Sequence, residues 1–175
     1  MSDHVLEELR ETFEARKRLE GAVGWERSGD GRSLQFVVPL MIDGLIAEGV
    51  RLRGLTSTRR PDRDVSFQHE QILGGTTYHV SRLDWRPRAP HTNRGAGPEE
   101  LRFSPISGSH WHPFQLNAEL GVEAVLSMGN LPVALPIDPD PLDFNALKNT
   151  LRELFRIGNA QEIGLPPWSP ELDFE

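Results

Sequence analysis

The fold is decided by residues 64–85, which read DVSFQHEQILGGTTYHVSRLDW. Gly74 and Gly75 separate two runs rich in β-branched and aromatic residues, and a glycine pair in this position is typical of a two-residue hairpin turn. Such a turn sets the register of the two strands, and it places Glu70 directly opposite His79. The sequence therefore predicts a β-hairpin within an antiparallel sheet.

Alternation of side chains along the hairpin predicts one buried face and one face at solvent or in a groove. The face predicted to be core carries Val65, Phe67, His69, Leu73, Tyr78 and Val80. The other face carries Ser66, Gln68, Glu70, His79 and Ser81. A cross-strand carboxylate–imidazole pair contributes about 0.2–1 kcal/mol to a sheet. A structural role is therefore expected for Glu70 and His79, with catalysis as the minor alternative.

Toward the N-terminus, the sequence predicts a helix and three further strands. The helix is predicted to begin at Asp3, which can cap it, and to stop at Gly21. Apolar residues follow helical spacing within it: Val5, Leu6, Leu9 and Phe13. The strands are predicted over residues 23–27, 33–42 and 45–55, with a bulge at Gly49 in the last of them.

The second half of the chain predicts irregular segments between short elements. Residues 86–100 are rich in Pro, Gly and Arg and predict a long loop. A strand is predicted over residues 101–106, and a helix that Asn117 caps and that continues through Met128. Residues 131–137 contain two prolines and predict an edge strand or extended segment. The proline-rich tail, residues 165–170, is expected to lie along the surface.

The clearest helix begins after Asp143, which can cap it, and stops at Gly158 and Asn159. Its apolar stripe consists of Leu147, Leu151, Leu154 and Phe155. Together these elements predict an α+β fold, an antiparallel meander sheet with an N-terminal helix and C-terminal helices packed on it. At 175 residues, the chain is expected to form one domain over residues 1–175.

Composition excludes several classes of protein. Hydrophobic residues make up 37% and charged residues 26% of the chain, which is typical of a globular domain. The chain contains no cysteine, so disulfides, thiolate metal sites and cysteine nucleophiles are excluded. It has no long apolar run and no signal-peptide pattern at its start. We therefore expect a cytoplasmic protein with no membrane partner.

The charge distribution is uneven. The formal net charge is −7, so the chain carries no strong nucleic-acid signal overall. Residues 51–102 nevertheless contain ten arginines and six acidic residues. The planar guanidinium group suits phosphate and carboxylate, although genomic base composition explains a high arginine content equally well. This segment favours an anionic ligand as the partner.

Two histidine-containing segments flank the long loop, residues 90–93 and residues 108–112. In extended backbone His110 and His112 point to one side while Trp111 points to the other. With His91, the two imidazoles would suit a divalent metal such as zinc, with three nitrogen ligands and an open position. They would equally suit metal-free phosphodiester cleavage, in which imidazoles move protons and a guanidinium holds negative charge. A third interpretation, in which the histidines are structural core residues, remains open.

The candidate residues follow from these chemistries. The predicted catalytic residues are His91, His110, His112 and Arg82. The predicted substrate-binding residues are Asn93, Arg88 and Trp111. If a metal binds, its expected ligands are the same three histidines. The chain has no Gly-rich phosphate loop, no HExxH motif, no nucleophile elbow and no dinucleotide fingerprint.

The same segments carry a family resemblance. The chain contains Arg82-Leu83-Asp84, then His91-Thr92-Asn93, then Gly108-Ser109-His110-Trp111-His112. In this order it resembles small uncharacterised bacterial proteins that share an R-x-D…H-x-N…G-x-H-x-H pattern. The resemblance implies that His91, Asn93, His110 and His112 act as a set, and it implies no particular reaction.

Two classes of function follow. The leading hypothesis is a small hydrolase-like or nuclease-like domain that uses the histidine cluster on an anionic substrate. The alternative is a non-enzymatic domain that binds a protein partner, as in toxin–antitoxin or phage-defence pairs. A scaffold like that of ubiquitin-conjugating enzymes would belong to this second class, because without cysteine it would be inactive. Clustering of the histidines in a cleft would favour the first class.

Overall fold

The computed structural model describes residues 2–167, and its sheet is built from eight strands. The strands are β1 (Lys17–Leu19), β2 (Glu26–Arg27), β3 (Ser33–Ile42), β4 (Leu45–Ser57), β5 (Val65–Leu73), β6 (Thr76–Trp85), β7 (His110–His112) and β8 (Leu135–Pro136). The α-helices are α1 (Ser2–Glu14), α2 (Phe114–Ala118), α3 (Val122–Val125) and α4 (Phe144–Phe155). Within these residues, every helix is too short or too polar to cross a bilayer.

The sheet is antiparallel and follows a meander. Its strand order is β1-β3-β4-β5-β6-β7-β8, and β2 pairs with β3 beside β1. From β3 onward each strand pairs with the next along the chain, because the connections are hairpins or loops rather than crossovers. The predicted α+β class, with an N-terminal helix and C-terminal helices, is confirmed.

Helix α4 covers one face of the sheet. Asp143 caps it, since its Oδ1 accepts a hydrogen bond of 2.8 Å from the amide of Ala146. Its predicted apolar stripe is buried, apart from Leu154, which is half-buried. The stripe packs against alternate residues of the central strands, which include Phe36, Leu52, Phe67 and Leu83. This layer forms the main core.

A second core cluster joins the remaining helices to β6. Leu9 and Phe13 of α1, Phe114 of α2 and Val125 of α3 surround Val80. Trp111 of β7 contacts both clusters, so the two cores meet beneath β7. The predicted helical spacing in α1 is thus confirmed at Leu9 and Phe13.

The hairpin contains a bulge that the glycine turn does not predict. Near the turn Glu70 faces His79, as predicted. Beyond this pair the register shifts by one residue, and His69 faces Ser81. The shift moves Ser81 from the predicted solvent face into the core, where it is fully buried. The same shift places Arg82 and Asp84 on the open face.

Two predicted elements near the N-terminus need adjustment, and a third is confirmed. The first helix ends at Glu14 rather than Gly21, because Lys17 caps it. Its Nζ donates to the carbonyls of Thr12, Phe13 and Ala15 over 2.9, 2.8 and 2.7 Å. The strand predicted over residues 23–27 is reduced to β2. The predicted bulge in β4 is confirmed: the pairing of β3 with β4 is irregular between Pro39 and Met41, opposite the segment that contains Gly49.

The predicted strand and helix between residues 101 and 128 are wrong. Glu99–Leu101 forms a 3-10 turn. Within residues 101–106, the strand pairing is a single bridge between Ile106 and His91. Asn117 lies inside α2 instead of capping a helix, and its amide binds the backbone of Pro113 and Val133. Gly121, with φ of +101°, separates α2 from α3.

The edge segment and the tail complete the chain. The segment predicted over residues 131–137 contributes β8 at the edge of the sheet, paired with β7. Residues 165–167 of the tail are irregular, and residues 168–170 lie outside the described part of the chain. The sheet edge formed by β7 and β8 is where the histidine segments meet.

Candidate functional site

Strand β7 places two histidines beside the polar end of β6. His112 pairs with Arg82 and His110 pairs with Asp84 in the antiparallel register. Because strand side chains alternate, these four side chains share one face. Trp111 pairs with Leu83 on the opposite face. The short H-x-H segment therefore presents both imidazoles to one carboxylate and one guanidinium.

The long loop brings His91 to the same place. Its backbone forms two hydrogen bonds with Ile106, of 3.0 and 2.7 Å, which fold residues 91–106 back on themselves. The His91 ring centroid lies 5.3 Å from that of His110 and 4.8 Å from that of His112. The His110 and His112 centroids are 5.3 Å apart. The prediction that these three histidines lie within reach of one another is confirmed.

In each of the three histidines one ring nitrogen, called the outer nitrogen, lies within hydrogen-bonding distance of a backbone carbonyl oxygen. The other nitrogen of each ring is called the inner nitrogen. Nδ1 of His112 lies 2.6 Å from the oxygen of Leu131, and Nδ1 of His110 lies 3.1 Å from that of Gly108. Nε2 of His91 lies 2.9 Å from the oxygen of Pro132. A carbonyl oxygen only accepts, so it selects the tautomer that carries hydrogen on the outer nitrogen. In the neutral rings, the inner nitrogens of the cluster are then lone-pair acceptors.

The carboxylate of Asp84 lies beside the inner nitrogens of His110 and His112. Its Oδ2 is 3.4 Å from Nε2 of His110, 3.3 Å from Nε2 of His112 and 2.9 Å from Nε of Arg82. Burial favours the protonated carboxyl, whereas the adjacent guanidinium of Arg82 favours the carboxylate, and the pKa of Asp84 lies well below its usual range. Asp84 is therefore an anion in the cluster.

His112 is neutral at physiological pH. Burial lowers its pKa to about 4, the charge of Arg82 acts in the same direction, and Asp84 opposes both. Its Nε2 lies 2.8 Å from Nη2 of Arg82, which can only donate, so Nε2 accepts this hydrogen bond. Burial also lowers the pKa of His91. Neutral imidazoles of this kind are what a metal ion requires as ligands.

Arg82 spans the cluster instead of pointing to solvent. Its guanidinium donates to Asp84 and His112, and a third hydrogen bond of 2.7 Å reaches Oδ1 of Asn130. Only 16% of its side chain is exposed. Arg82 thus supplies the positive charge that the converging acceptors need in this structure.

Further polar residues continue the site across the sheet. One row of paired residues runs from β4 to β7 and consists of Arg53, Gln68, Arg82 and His112. In the next row the buried carboxylate of Glu70 binds Arg51 at 2.7 Å, and Arg53 reaches the same carboxylate at 3.2 Å. His79, the predicted partner of Glu70, is more distant at 3.8 Å. Two arginines paired with Glu70 therefore lie on the same face of the sheet, two strands away from Arg82.

Two predicted substrate-binding residues do not lie at the histidines. Trp111 lies on the opposite face, where it packs against both core clusters. Arg88 is exposed and its ion pair, of 3.5 Å, is with Asp64. Among the described residues, no contact joins Arg88 to the cluster.

Asn93 lies at the cluster, but it is buried and fully engaged. Its side chain forms hydrogen bonds with both backbone groups of Ala134, of 2.9 and 3.1 Å. Its Oδ1 also lies 3.1 Å from Nε2 of His91. This geometry makes Asn93 a residue that positions His91 rather than one that contacts a substrate.

Sequence reasoning missed the residues that complete the site. Asn130 holds Arg82, and the carbonyls of Leu131 and Pro132 orient two of the histidines. A backbone carbonyl leaves no signature in sequence, so no motif could have found the last two. Arg51 and Arg53 alternate along β4 and lie near Glu70 of β5. This relationship can be recognised only once the register of the two strands is known.

Comparisons with protein-family models, curated proteins and solved structures found no significant match.

Proposed function

We propose that this protein is a metal-dependent hydrolase-like domain that acts on an anionic substrate, with His91, His110 and His112 as metal ligands. One observation carries the proposal. Each outer ring nitrogen is held by a backbone carbonyl while one ring nitrogen of each histidine lies within 4.8 Å of the other two. Hydrogen bonds on the outer side of histidine ligands are a regular feature of metal sites, because they orient the ring.

The donor set suits zinc or a similar divalent metal. Three imidazole nitrogens with an open position are typical of catalytic zinc, and a nearby carboxylate such as Asp84 can act as fourth ligand or orient one. Tetrahedral zinc with Zn–N bonds of about 2.0–2.1 Å needs ligand nitrogens about 3.4 Å apart. One ring nitrogen of each histidine lies within 4.8 Å of the other two, so the rings would have to move closer together to bind zinc. The metal, when bound, would supply an activated water molecule.

Metal-free acid–base catalysis is supported less well by the same residues. A general acid or base must exchange protons with substrate near neutral pH. His112 is fully buried, its pKa is lowered to about 4, and both of its nitrogens are engaged. His112 therefore suits the role of a neutral ligand.

The neighbouring charges favour an anionic substrate. A metal at the three histidines would repel the guanidinium of Arg82, which would leave His112 and face the open side of the site. That side of the sheet also carries Arg51 and Arg53, which pair with Glu70 and whose side chains are 31% and 47% exposed. Guanidinium groups bind phosphate and carboxylate through paired hydrogen bonds. Phosphate esters are the substrate class that this arrangement suits best.

Hydrolysis of bis(p-nitrophenyl) phosphate by the metal-free and zinc-loaded protein tests the proposal. We expect activity only with metal, and His110→Ala should reduce it on the order of 100-fold. Arg82→Gln should raise KM more than it lowers kcat, because the guanidinium binds the substrate anion. His4→Ala, at an exposed histidine of α1, is the matched control and should have no effect. Failure to bind metal and to hydrolyse phosphate and carboxylate esters would favour the protein-interaction domain instead.

A further inference from the structure

A second basic site lies at the far edge of the sheet. A cleft of about 600 Å³ is formed by the link between α1 and β1, the β3–β4 turn and the C-terminal end of α4. Its walls carry Arg16, Arg18, Arg152 and Arg156. Strands β1 and β7 are separated by four others, which corresponds to about 24 Å at the usual strand spacing. The cleft is therefore distinct from the histidine cluster.

The positive charge in the cleft lacks compensation. Within residues 2–167, Arg16, Arg18 and Arg152 form no ion pair or side-chain hydrogen bond, and all three are exposed. Asp43 is the acidic residue that lines the cleft, and it too forms no ion pair in this part of the chain. By contrast, Glu70 neutralises the arginines of β4. In a chain of net charge −7, a local excess of arginine of this kind is unusual.

Arg156 and Lys17 place further positive charge at the cleft. Arg156 has φ of +56°, a left-handed conformation that favours glycine, and its Nη1 donates a 2.9 Å hydrogen bond to the carbonyl of Glu14. Its position after α4 is therefore unfavourable for an arginine on conformational grounds. Burial, together with the charge of Arg156, lowers the pKa of Lys17 to about 7. The positive field thus extends to the back of the cleft.

Lys17 itself does not offer its charge to a ligand. Its ammonium group points away and binds three carbonyls at the end of α1. The groups available to a ligand are therefore guanidiniums, whose planar donors match pairs of phosphate oxygens. The volume is in the range of small-molecule pockets, about 300–1,000 Å³.

We propose that this cleft binds a small molecule that carries two or more phosphate groups. The four arginines come from two segments, the link between α1 and β1 and the C-terminal end of α4, and line one space, as a multiply charged anion requires. Met41 and the backbone of Gly44 and Gly158 form the uncharged part of the wall, which would accommodate the rest of the ligand.

Isothermal titration calorimetry of the whole chain with inorganic triphosphate tests this site, in about 150 mM salt, where exposed charges are screened. We expect binding that Arg18→Gln and Arg152→Gln each weaken at least on the order of fivefold, by loss of one charge-assisted contact. Arg59→Gln, at an exposed arginine of the turn after β4, is the matched control and should leave the affinity within about twofold. Citrate, which carries carboxylates instead of phosphates, should bind more weakly.

Several results would each overturn the proposal. They are the absence of triphosphate binding, equal weakening by Arg59→Gln, equal affinity for citrate, and tighter binding of a single-stranded oligonucleotide that Arg152→Gln abolishes. Loss of triphosphate binding in Arg82→Gln, with Arg152→Gln unaffected, would also overturn it, because the ligand would then lie at the histidine cluster. Failure of metal binding at the histidines would leave this inference untouched.

Discussion

Oδ2 of Asp84 and Nε2 of His112 lie 3.3 Å apart, and both are acceptors when the carboxylate is ionised and the imidazole is neutral. Two acceptors this close repel unless a positive charge lies beside them. The guanidinium of Arg82 supplies that charge, through hydrogen bonds of 2.9 Å to Asp84 and 2.8 Å to His112. A metal ion would meet the same electrostatic requirement, and the two cations would exclude each other.

This competition predicts that removal of the arginine strengthens metal binding. In Arg82→Gln the lone pair of His112 is freed and one positive charge is lost close to the metal. Charges about 4 Å apart interact by about 4 kcal/mol near a protein surface, so zinc affinity should rise at least on the order of tenfold. Competition with a fluorescent zinc chelator measures the change.

Arg88→Gln is the matched control for this prediction, since Arg88 pairs with Asp64 outside the cluster. Its zinc affinity should equal that of the unmodified protein. Weaker zinc binding by Arg82→Gln would mean that Arg82 supports the site instead of competing for it.

Lowering the pH should destabilise the protein at pH values well above those at which carboxylates titrate. His112 has a folded-state pKa of about 4, below the value of about 6.5 for an unfolded chain. The unfolded state therefore binds more protons between these pH values, and stability falls as pH decreases. For His112 alone the loss between pH 7 and pH 5 is about 2 kcal/mol.

The pKa values of His69, His79 and His91 are lowered in the same direction and add to this loss. Urea denaturation at pH 7 and pH 5, without metal, measures the effect. Equal free energies of unfolding at the two values would show that His112 is not the buried neutral imidazole described above.

His69 offers a substitution expected to stabilise the fold. It is fully buried, and within the described residues neither ring nitrogen has a hydrogen-bond partner. An unpaired buried polar group costs about 1–3 kcal/mol. His69→Leu, beside the ring of Phe155, should therefore raise the free energy of unfolding by about 1 kcal/mol. A decrease in thermal or urea stability would instead indicate that this imidazole binds a partner such as internal water.

Helix α4 provides a direct test of the core. Leu151 is fully buried against the sheet, whereas Leu154 is only half-buried. Leu151→Ala should cost about 2–5 kcal/mol of stability, and Leu154→Ala, the matched control on the same helix, about 1 kcal/mol. Comparable losses at the two positions would mean that α4 does not face the sheet in the orientation described.

Local sequence was sufficient for the elements whose side chains interact with near neighbours. The turn at Gly74 and Gly75, the cap at Asp143 and the facing pair of Glu70 and His79 each depend on residues close in sequence. The alternation of His110 and His112 likewise sufficed to place both on one side of β7.

What could not be predicted depends on long-range contacts. The bulge at Val80, which packs against residues of α1 and α2, brings Arg82 and Asp84 to the histidine face. The carbonyls of Leu131 and Pro132 orient His112 and His91 across a separation of many residues. The helix predicted from Asn117 is replaced by two short helices, and the Asn117 side chain binds the backbone of Val133 instead of capping one.

Titration of the metal-free protein with Co²⁺, followed by visible absorption, tests the central claim most directly. We predict saturation at about one equivalent, with the intense d–d bands of a four-coordinate nitrogen and oxygen site. His110→Ala should abolish these bands, while His79→Ala, at a histidine of the same sheet face outside the cluster, should retain them. Absence of the bands in the unmodified protein, or their persistence in His110→Ala, would contradict the assignment of His91, His110 and His112 as a metal site.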